Sequence, residues 1–190
     1  AVLIKGARVW LQPAGSPDRK TAYDLKLVAI DDVLVSVDAR LPNPLFEEYV
    51  LREAVEFMPG LGEPQIRREV TFGESRLDFQ LQGAGGVCWV ETKSVTLVEE
   101  GTACFPDAPT RRGRRHIQTL TKAAKQGRKA AVVFVVQRPD ADSFSPHDQV
   151  DPRFAALLKK AAGAGVAVRS FTCQVTRTKM NINREIPSTL

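Results

Sequence analysis

Apolar and polar residues alternate with period two in the first part of the chain. ARVWL (7–11), LKLVAI (25–30) and VLVSV (33–37) read as short strands. The polar, Pro/Gly/Ser-rich loop QPAGSPDRK (12–20) separates the first two, and Asp31-Asp32 the last two. This predicts a small β-meander or a piece of a barrel. Asn43-Pro44 then punctuates the chain. Beyond it, Leu45, Tyr49/Val50 and Ala54/Phe57 fall at helical spacing, which predicts a helix over 45–57 that MPGLGEP (58–64) stops. IRREVTF (66–72) is strand-like. RLDFQLQGAGGVCWVETKSV (76–95) alternates, breaks at glycines and alternates again, as a β-hairpin does.

The period changes again in TRRGRRHIQTLTKAAKQG (110–127). Thr110 is a suitable N-cap, Gly127 a suitable C′ residue, and Ile117, Leu120 and Ala124 share a face. Gly113 weakens the first turn and moves the expected helix start later. KAAVVFVVQ (129–137) is continuously apolar, as a strand covered on both faces would be. DPRFAALLKKAAGAG (151–165) opens with an Asp cap and Pro at N1 and ends in glycine, which marks a helix. VAVRSFTCQV (166–175) predicts a final strand, followed by a polar, irregular tail. The order implies an α/β fold: a mixed β-sheet flanked by helices, parallel where a helix joins two strands and antiparallel at the hairpin. Residues 1–37 form a β leader and 38–190 the main domain.

Composition narrows the class. The chain has 190 residues, 43% hydrophobic and 26% charged, the balance of a soluble globular protein. It has no apolar run of about 18 residues, so no membrane helix is expected. Cys88, Cys104 and Cys173 lie far apart without C-x-x-C spacing, so they suggest neither a zinc knuckle nor a disulfide framework and read as buried or incidental thiols. The cytoplasm is the expected compartment. There is no initiator Met, and strand-like sequence begins at once, so residues are expected ahead of Ala1. The net charge of +5 is unevenly spread. From Ala108 to Pro139 there is no Asp or Glu, yet there are nine Lys/Arg. Such a segment suits a polyanion such as DNA or RNA, or else is a solvated helix face.

The hairpin carries the candidate chemistry. With a turn over Gly83–Gly86, Gln82 opposes Val87 and opposing numbers sum to 169, so Asp78 faces Glu91. Alternation puts Leu77, Phe79 and Leu81 on one face, and Glu91 and Lys93 on a face with Val87, Trp89 and Val95. Two carboxylates about 5 Å apart repel by about 3 kcal/mol at an effective dielectric near 20. Protonation of one, neutralisation by Arg76 or Lys93, or a divalent cation would relieve this. Mg²⁺ or Mn²⁺ would be held by Asp78, Glu91 and the backbone carbonyl of Thr92. Lys93 would orient or deprotonate a water or stabilise a phosphate. The alternative is an exposed hairpin with an ordinary surface cluster of Asp, Lys and Arg.

The order Asp, Glu-x-Lys, basic helix, apolar strand resembles the PD-(D/E)xK nuclease superfamily. RLDFQL, VETKSVTL, FPDAPTRRGRRHIQTL, VVFVVQRPDADSFSP and IPSTL are more closely similar to the sugar fermentation stimulation protein family (SfsA). That resemblance implies a restriction-endonuclease-like domain preceded by a partial OB-like β-barrel. It also implies non-specific DNA binding and a regulatory role in sugar metabolism. The family's motif falls on Asp78, Glu91 and Lys93. An acidic residue from the preceding helix usually completes such a site; Glu48 matches best, with Glu47 and Glu53 as alternatives, and Glu48 also reads as an ordinary solvated residue.

Arg111, Arg112, Arg114, Arg115, Lys122 and Lys125 are the expected nucleic-acid contacts, mainly to backbone phosphates. His116 reads as a surface histidine, with a phosphate contact or an acid role as the alternative. His147 reads as a loop residue, and Trp89 as packing on the sheet rather than stacking on bases. Asp107 is an outlying candidate near the site. Three functions follow: a metal-dependent nuclease, a non-catalytic DNA-binding regulator that keeps the fold, or, ranked third, a nucleotide- or RNA-processing enzyme that uses the same site on a small substrate.

Overall fold

The computed structural model describes residues 2–15 and 20–190. Part of the polar loop at 12–20 lies outside the described residues. The leader forms β1 (Val9–Pro13), β2 (Tyr23–Ile30) and β3 (Val33–Ser36), an antiparallel sheet in the order β1-β2-β3. Leu27, with Trp10 and Leu34, packs into the same apolar cluster as the main domain. The Ser36 N–H donates to the Gln137 carbonyl at 3.0 Å, so the leader is also hydrogen-bonded to the main sheet's end.

The main domain continues with α1 (Pro42–Phe57), β4 (Gln65–Phe72), β5 (Ser75–Gly83) and β6 (Gly86–Val95). Then come β7 (Leu97–Glu99), β8 (Thr102–Phe105), α2 (Arg111–Lys125), β9 (Lys129–Val136), β10 (Ser143–Pro146), α3 (Pro152–Gly163), β11 (Ala167–Val175) and β12 (Met180–Ile186). Among the described residues the large sheet runs β12-β11-β9-β6-β5-β4, and β7, β8 and β10 form a small separate sheet. β9 is parallel to both β6 and β11; the other pairings of the large sheet are antiparallel. The sheet is covered on both sides. Phe46, Val50 and Phe57 of α1 pack on Phe79, Leu81, Cys88 and Val90. Ile117 and Leu120 of α2 and Phe154 and Leu158 of α3 pack on Trp89, Val132 and Phe134. Ala130–Val136 of β9 are buried on both faces, the reason for their unbroken apolarity.

Local chemistry accounts for the helix ends. Thr110 Oγ1 accepts from the Gly113 N–H at 3.0 Å. A Cβ at position 113 would lie 2.7 Å from Thr110 Cγ2, so glycine is what the cap requires, and the helix begins at Arg111 in spite of it. α1 begins at Pro42, earlier than expected. Asn43-Pro44 does not interrupt it, because first-turn prolines lack only donors that would be unpaired there. The tail is not irregular either: Met180, Ile182 and Ile186 alternate with polar residues and pair as β12 against β11. No helix among the described residues is long and apolar enough to cross a membrane.

Candidate functional site

The hairpin keeps the expected register. Phe79 pairs with Val90, Gln80 with Trp89 and Gly83 with Gly86, leaving Ala84-Gly85 as the turn. The pairing stops at Phe79–Val90, one step before Asp78 and Glu91. On the other edge, β5 pairs with β4 through Phe79–Arg68 and Leu77–Val70 but skips Asp78 and Glu69, and Glu69 takes φ +55 in the left-handed region. The pleat is broken on both sides of Asp78, and the alternation switches there. Leu77 joins the apolar cluster under α2, while Phe79 and Leu81 join the one under α1. Leu77, Phe79 and Leu81 therefore do not share a face.

Asp78 and Glu91 consequently border a split between β5 and β6 rather than standing as an opposed pair. Asp78 fills the place of the missing ladder bonds. Its Oδ2 accepts from the Thr92 N–H at 2.8 Å. The Thr92 hydroxyl is within reach of both Asp78 Oδ2, at 2.9 Å, and Asn43 Oδ1. Asn43 Nδ2 donates to Asp78 Oδ1 at 3.2 Å. Because N–H and C=O of one strand residue project to the same side, the Thr92 carbonyl also faces the split.

Glu91 turns to the α2 side and is only 3% exposed. Its Oε1 accepts from Lys93 Nζ and is bonded to His116 Nδ1. Its Oε2 is buried with no hydrogen-bond partner. Burial pushes the Glu91 carboxyl up, but the hydrogen bond to His116 and the charge and hydrogen bond of Lys93 outweigh it, so its pKa lies below the ordinary value. Glu91 is therefore a carboxylate, which only accepts, and the proton of the His116 contact sits on Nδ1. One expectation changes here. His116 is not a surface histidine: it is 2% exposed and reaches Glu91 from α2. Its place i+3 from Gly113 and i−4 from Leu120, both buried, carried the signal, but four neighbouring arginines obscured it.

Glu48 does not join the site. Its side chain is 59% exposed and lies beside Arg52, one turn on. The α1 residue that reaches Asp78 is Asn43. Glu47, one turn after Asn43, is bonded to Arg68 of β4. Among the described residues no group of three or more His, Cys, Asp or Glu is gathered as a metal cluster.

The basic helix divides. Arg111, Arg112, Arg115, Lys122 and Lys125 are exposed. Arg114 is not free for phosphate, since its Nη1 donates to Asp151 Oδ1 at 2.9 Å. Arg111, Arg115 and Gln118 of α2 and Arg153 of α3, together with the ion-paired Arg114, line a cleft of about 480 Å³ between the two helices. Arg112, one turn before His116, lies on the flank of α2 toward β5, where Thr119 bonds Ser75 at 2.8 Å. Asp107 is exposed at the end of the cis Phe105–Pro106 segment. His147 lies in a turn, with its Nδ1 buried and without a partner. Trp89 is buried against Phe72, ring centroids 4.7 Å apart. Burial pushes the Cys88 and Cys173 thiols up to about 12, which makes both inert.

The family model described as the sugar fermentation stimulation protein RE domain matches residues 40–179, and the SfsA N-terminal OB domain matches residues 1–37. This chain belongs to the sugar fermentation stimulation protein family. A homolog from Desulforamulus reducens is 41% identical over 98% of this chain and 77% of its own length. One from Moorella thermoacetica is 46% identical over 92% of this chain and 75% of its own length. The structure of Pyrococcus furiosus SfsA in complex with Ca²⁺ matches all of this chain and 80% of that one, with a TM-score of 0.90 and 32% identity.

Proposed function

We propose that this SfsA-family chain binds DNA, or RNA, and cleaves phosphodiesters with Mg²⁺ or Mn²⁺ at the split between β5 and β6. The observation that carries the reading is Glu91 Oε2, a carboxylate oxygen buried without a partner. Leaving such a group unsatisfied costs about 1–3 kcal/mol, more when it is charged, and a cation offsets that cost. Oxygen donors suit a hard divalent ion: Asp78 and Glu91 border the split, the Thr92 carbonyl faces it, and water would supply the remaining positions. That the Pyrococcus furiosus relative is described in complex with Ca²⁺ supports a site of this kind. A divalent ion there supplies a Lewis acid for phosphate and lowers the pKa of a bound water. The chain's own residues do the rest. Lys93, whose Nζ bonds Glu91 Oε1, would turn to a phosphate oxygen when substrate binds. Arg112 extends the positive surface along α2, and Arg111, Arg115 and Arg153 lie along the cleft beyond it.

The test is incubation with single- and double-stranded DNA and RNA in Mg²⁺, Mn²⁺ or EDTA. Cleavage is expected only with metal and only with Asp78 and Glu91 intact. Cleavage that survives EDTA or Asp78→Ala overturns the site. One observation favours a second reading, a non-catalytic, non-specific DNA-binding regulator of sugar metabolism. Asp78 and Glu91 are each already engaged in separate networks, Asp78 with Asn43 and Thr92, Glu91 with His116 and Lys93. Unchanged DNA affinity with no Mn²⁺ uptake in calorimetry would select it.

A further inference from the structure

His116 is a buried polar side chain that neither the Glu-x-Lys motif nor the basic surface explains. It lies on α2, 25 residues from Glu91 in sequence, and its Nδ1 is bonded to Glu91 Oε1. Lys93 is bonded to the same oxygen. The other oxygen, Oε2, has no partner. Two donors thus converge on one carboxylate oxygen while its twin is left bare in a water-poor setting, although sharing them between the oxygens would satisfy both.

We infer that His116 is the positioning residue of the cation site: it holds Glu91 by Oε1 so that Oε2 is presented to a divalent ion. The inference rests on the metal reading proposed above. Lys93 is tethered to Glu91 only by its own side chain, and its proposed task draws Nζ away toward phosphate. Once Lys93 leaves, His116 is the remaining hydrogen-bond partner of Oε1 among those described. The imidazole is suited to this because it is short, locked between α2 and the sheet, and donates through Nδ1. The Thr110 cap and the Ile117–Leu120 packing fix α2, and hence the ring, from both sides. Partners of this kind, one step behind a metal ligand, typically contribute 10–100-fold to metal affinity.

The experiment measures Mn²⁺ affinity by calorimetry, alongside thermal melting, for the wild type, His116→Leu and His116→Asn. Leucine keeps volume but removes the donor; asparagine returns an N–H near the place of Nδ1. The expected result is about 10–100-fold weaker Mn²⁺ binding in His116→Leu and recovery to within a few-fold in His116→Asn. A readout that needs no variant is the imidazole ¹⁵N signal of His116, which is expected to shift on addition of Mg²⁺. Mn²⁺ binding by His116→Leu as tight as wild type, or a His116 signal unmoved at saturating Mg²⁺, overturns the inference while leaving the cation site standing. A wild-type protein that takes up no Mn²⁺ overturns the site itself and this role with it.

Discussion

Asp151 holds the N-termini of both main-domain helices that carry the basic surface. Its Oδ1 accepts from the Phe154 N–H at 3.0 Å and so caps α3, while its Oδ2 accepts from the Thr110 N–H at 2.9 Å, at the head of α2. Arg114 adds an ion pair at 2.9 Å. One buried carboxylate thus fixes where α2 starts, and with it where His116 meets Glu91. Asp151→Ala removes a cap and leaves Arg114 and the Thr110 N–H without their partner. The expected cost is about 3 kcal/mol, which lowers the melting temperature by about 6–12 °C at this chain length. Asp151→Asn keeps the acceptor for Phe154 and is expected to lose less. Differential scanning calorimetry of the two variants checks this; equal melting temperatures for Asp151→Ala and wild type would refute it.

Asp151 and a second buried carboxylate, Asp38, are expected to set the acid limit of the fold. Hydrogen bonds from Arg40 and Lys26 hold the Asp38 carboxyl well below its usual range, against the opposing effect of burial. Burial pushes Asp151 up, but the Thr110 and Phe154 N–H groups and Arg114 outweigh it, so its pKa is lowered. A carboxyl whose folded pKa lies below its unfolded value, about 3.9, stabilises the fold fully above that value. That contribution is lost as pH falls from about 4 through the folded pKa. Melting temperature is therefore expected to be flat from neutral pH down to about 5 and to fall steeply below about 4. In Asp38→Asn the starting stability is lower and the acid slope shallower. A variant with an unchanged slope would show that Asp38 is not among the groups responsible.

Much of this architecture is legible in the residues, for reasons that are local. The apolar run of β9, the Asp151-Pro152 helix start, the Thr110 cap and the two glycines of Ala84-Gly85-Gly86 each act within a few residues of themselves. The register of the hairpin follows from its turn, and the family resemblance rests on the long motifs in that same region. What is not legible depends on partners far away in sequence. The switch of faces at Asp78 needs Glu69 at positive φ on the neighbouring strand. Asn43 reaches Asp78 because α1 starts at Pro42 and so already includes it, whereas Glu48, five residues on, lies about 140° further around the helix. Arg114 looks identical to its neighbours until Asp151, 37 residues later, claims it.

The hairpin turn is packed against the chain that leaves α1, and this gives a sharp steric prediction. A Cβ on Gly85 would lie 1.6 Å from the Gly60 carbonyl oxygen, and one on Gly83 2.1 Å from that of Leu61. Backbone cannot yield as a side-chain tip can, so Gly85→Ala must displace either the turn or the 58–62 segment. A loss of about 1–3 kcal/mol or more is expected, with wild-type secondary structure retained at low temperature. Gly163→Ala is the contrasting case. That glycine lies in α3 with nothing within 4 Å of the added Cβ, and the change is expected to stabilise by up to about 1 kcal/mol. Chemical denaturation of both variants measures the two signs; a neutral Gly85→Ala would mean that the turn does not seat on Gly60.

The arginines of α2 are expected to separate by role. Arg111, Arg114, Arg115 and Arg153 all line the cleft, but Arg111 and Arg115 are exposed whereas Arg114 is held in the ion pair with Asp151. Each phosphate contact releases counterions, so removing one lowers the slope of log affinity against log salt by about 0.9. Arg111→Ala and Arg115→Ala are each expected to weaken DNA binding in proportion across unrelated sequences and to reduce that slope by about one contact. Arg114→Ala is expected to leave the slope unchanged and to reduce thermal stability instead, by about 1–3 kcal/mol. Fluorescence anisotropy over a salt series, with melting curves on the same samples, gives both readings. A slope that changes for Arg114→Ala but not for Arg115→Ala would overturn this division of roles.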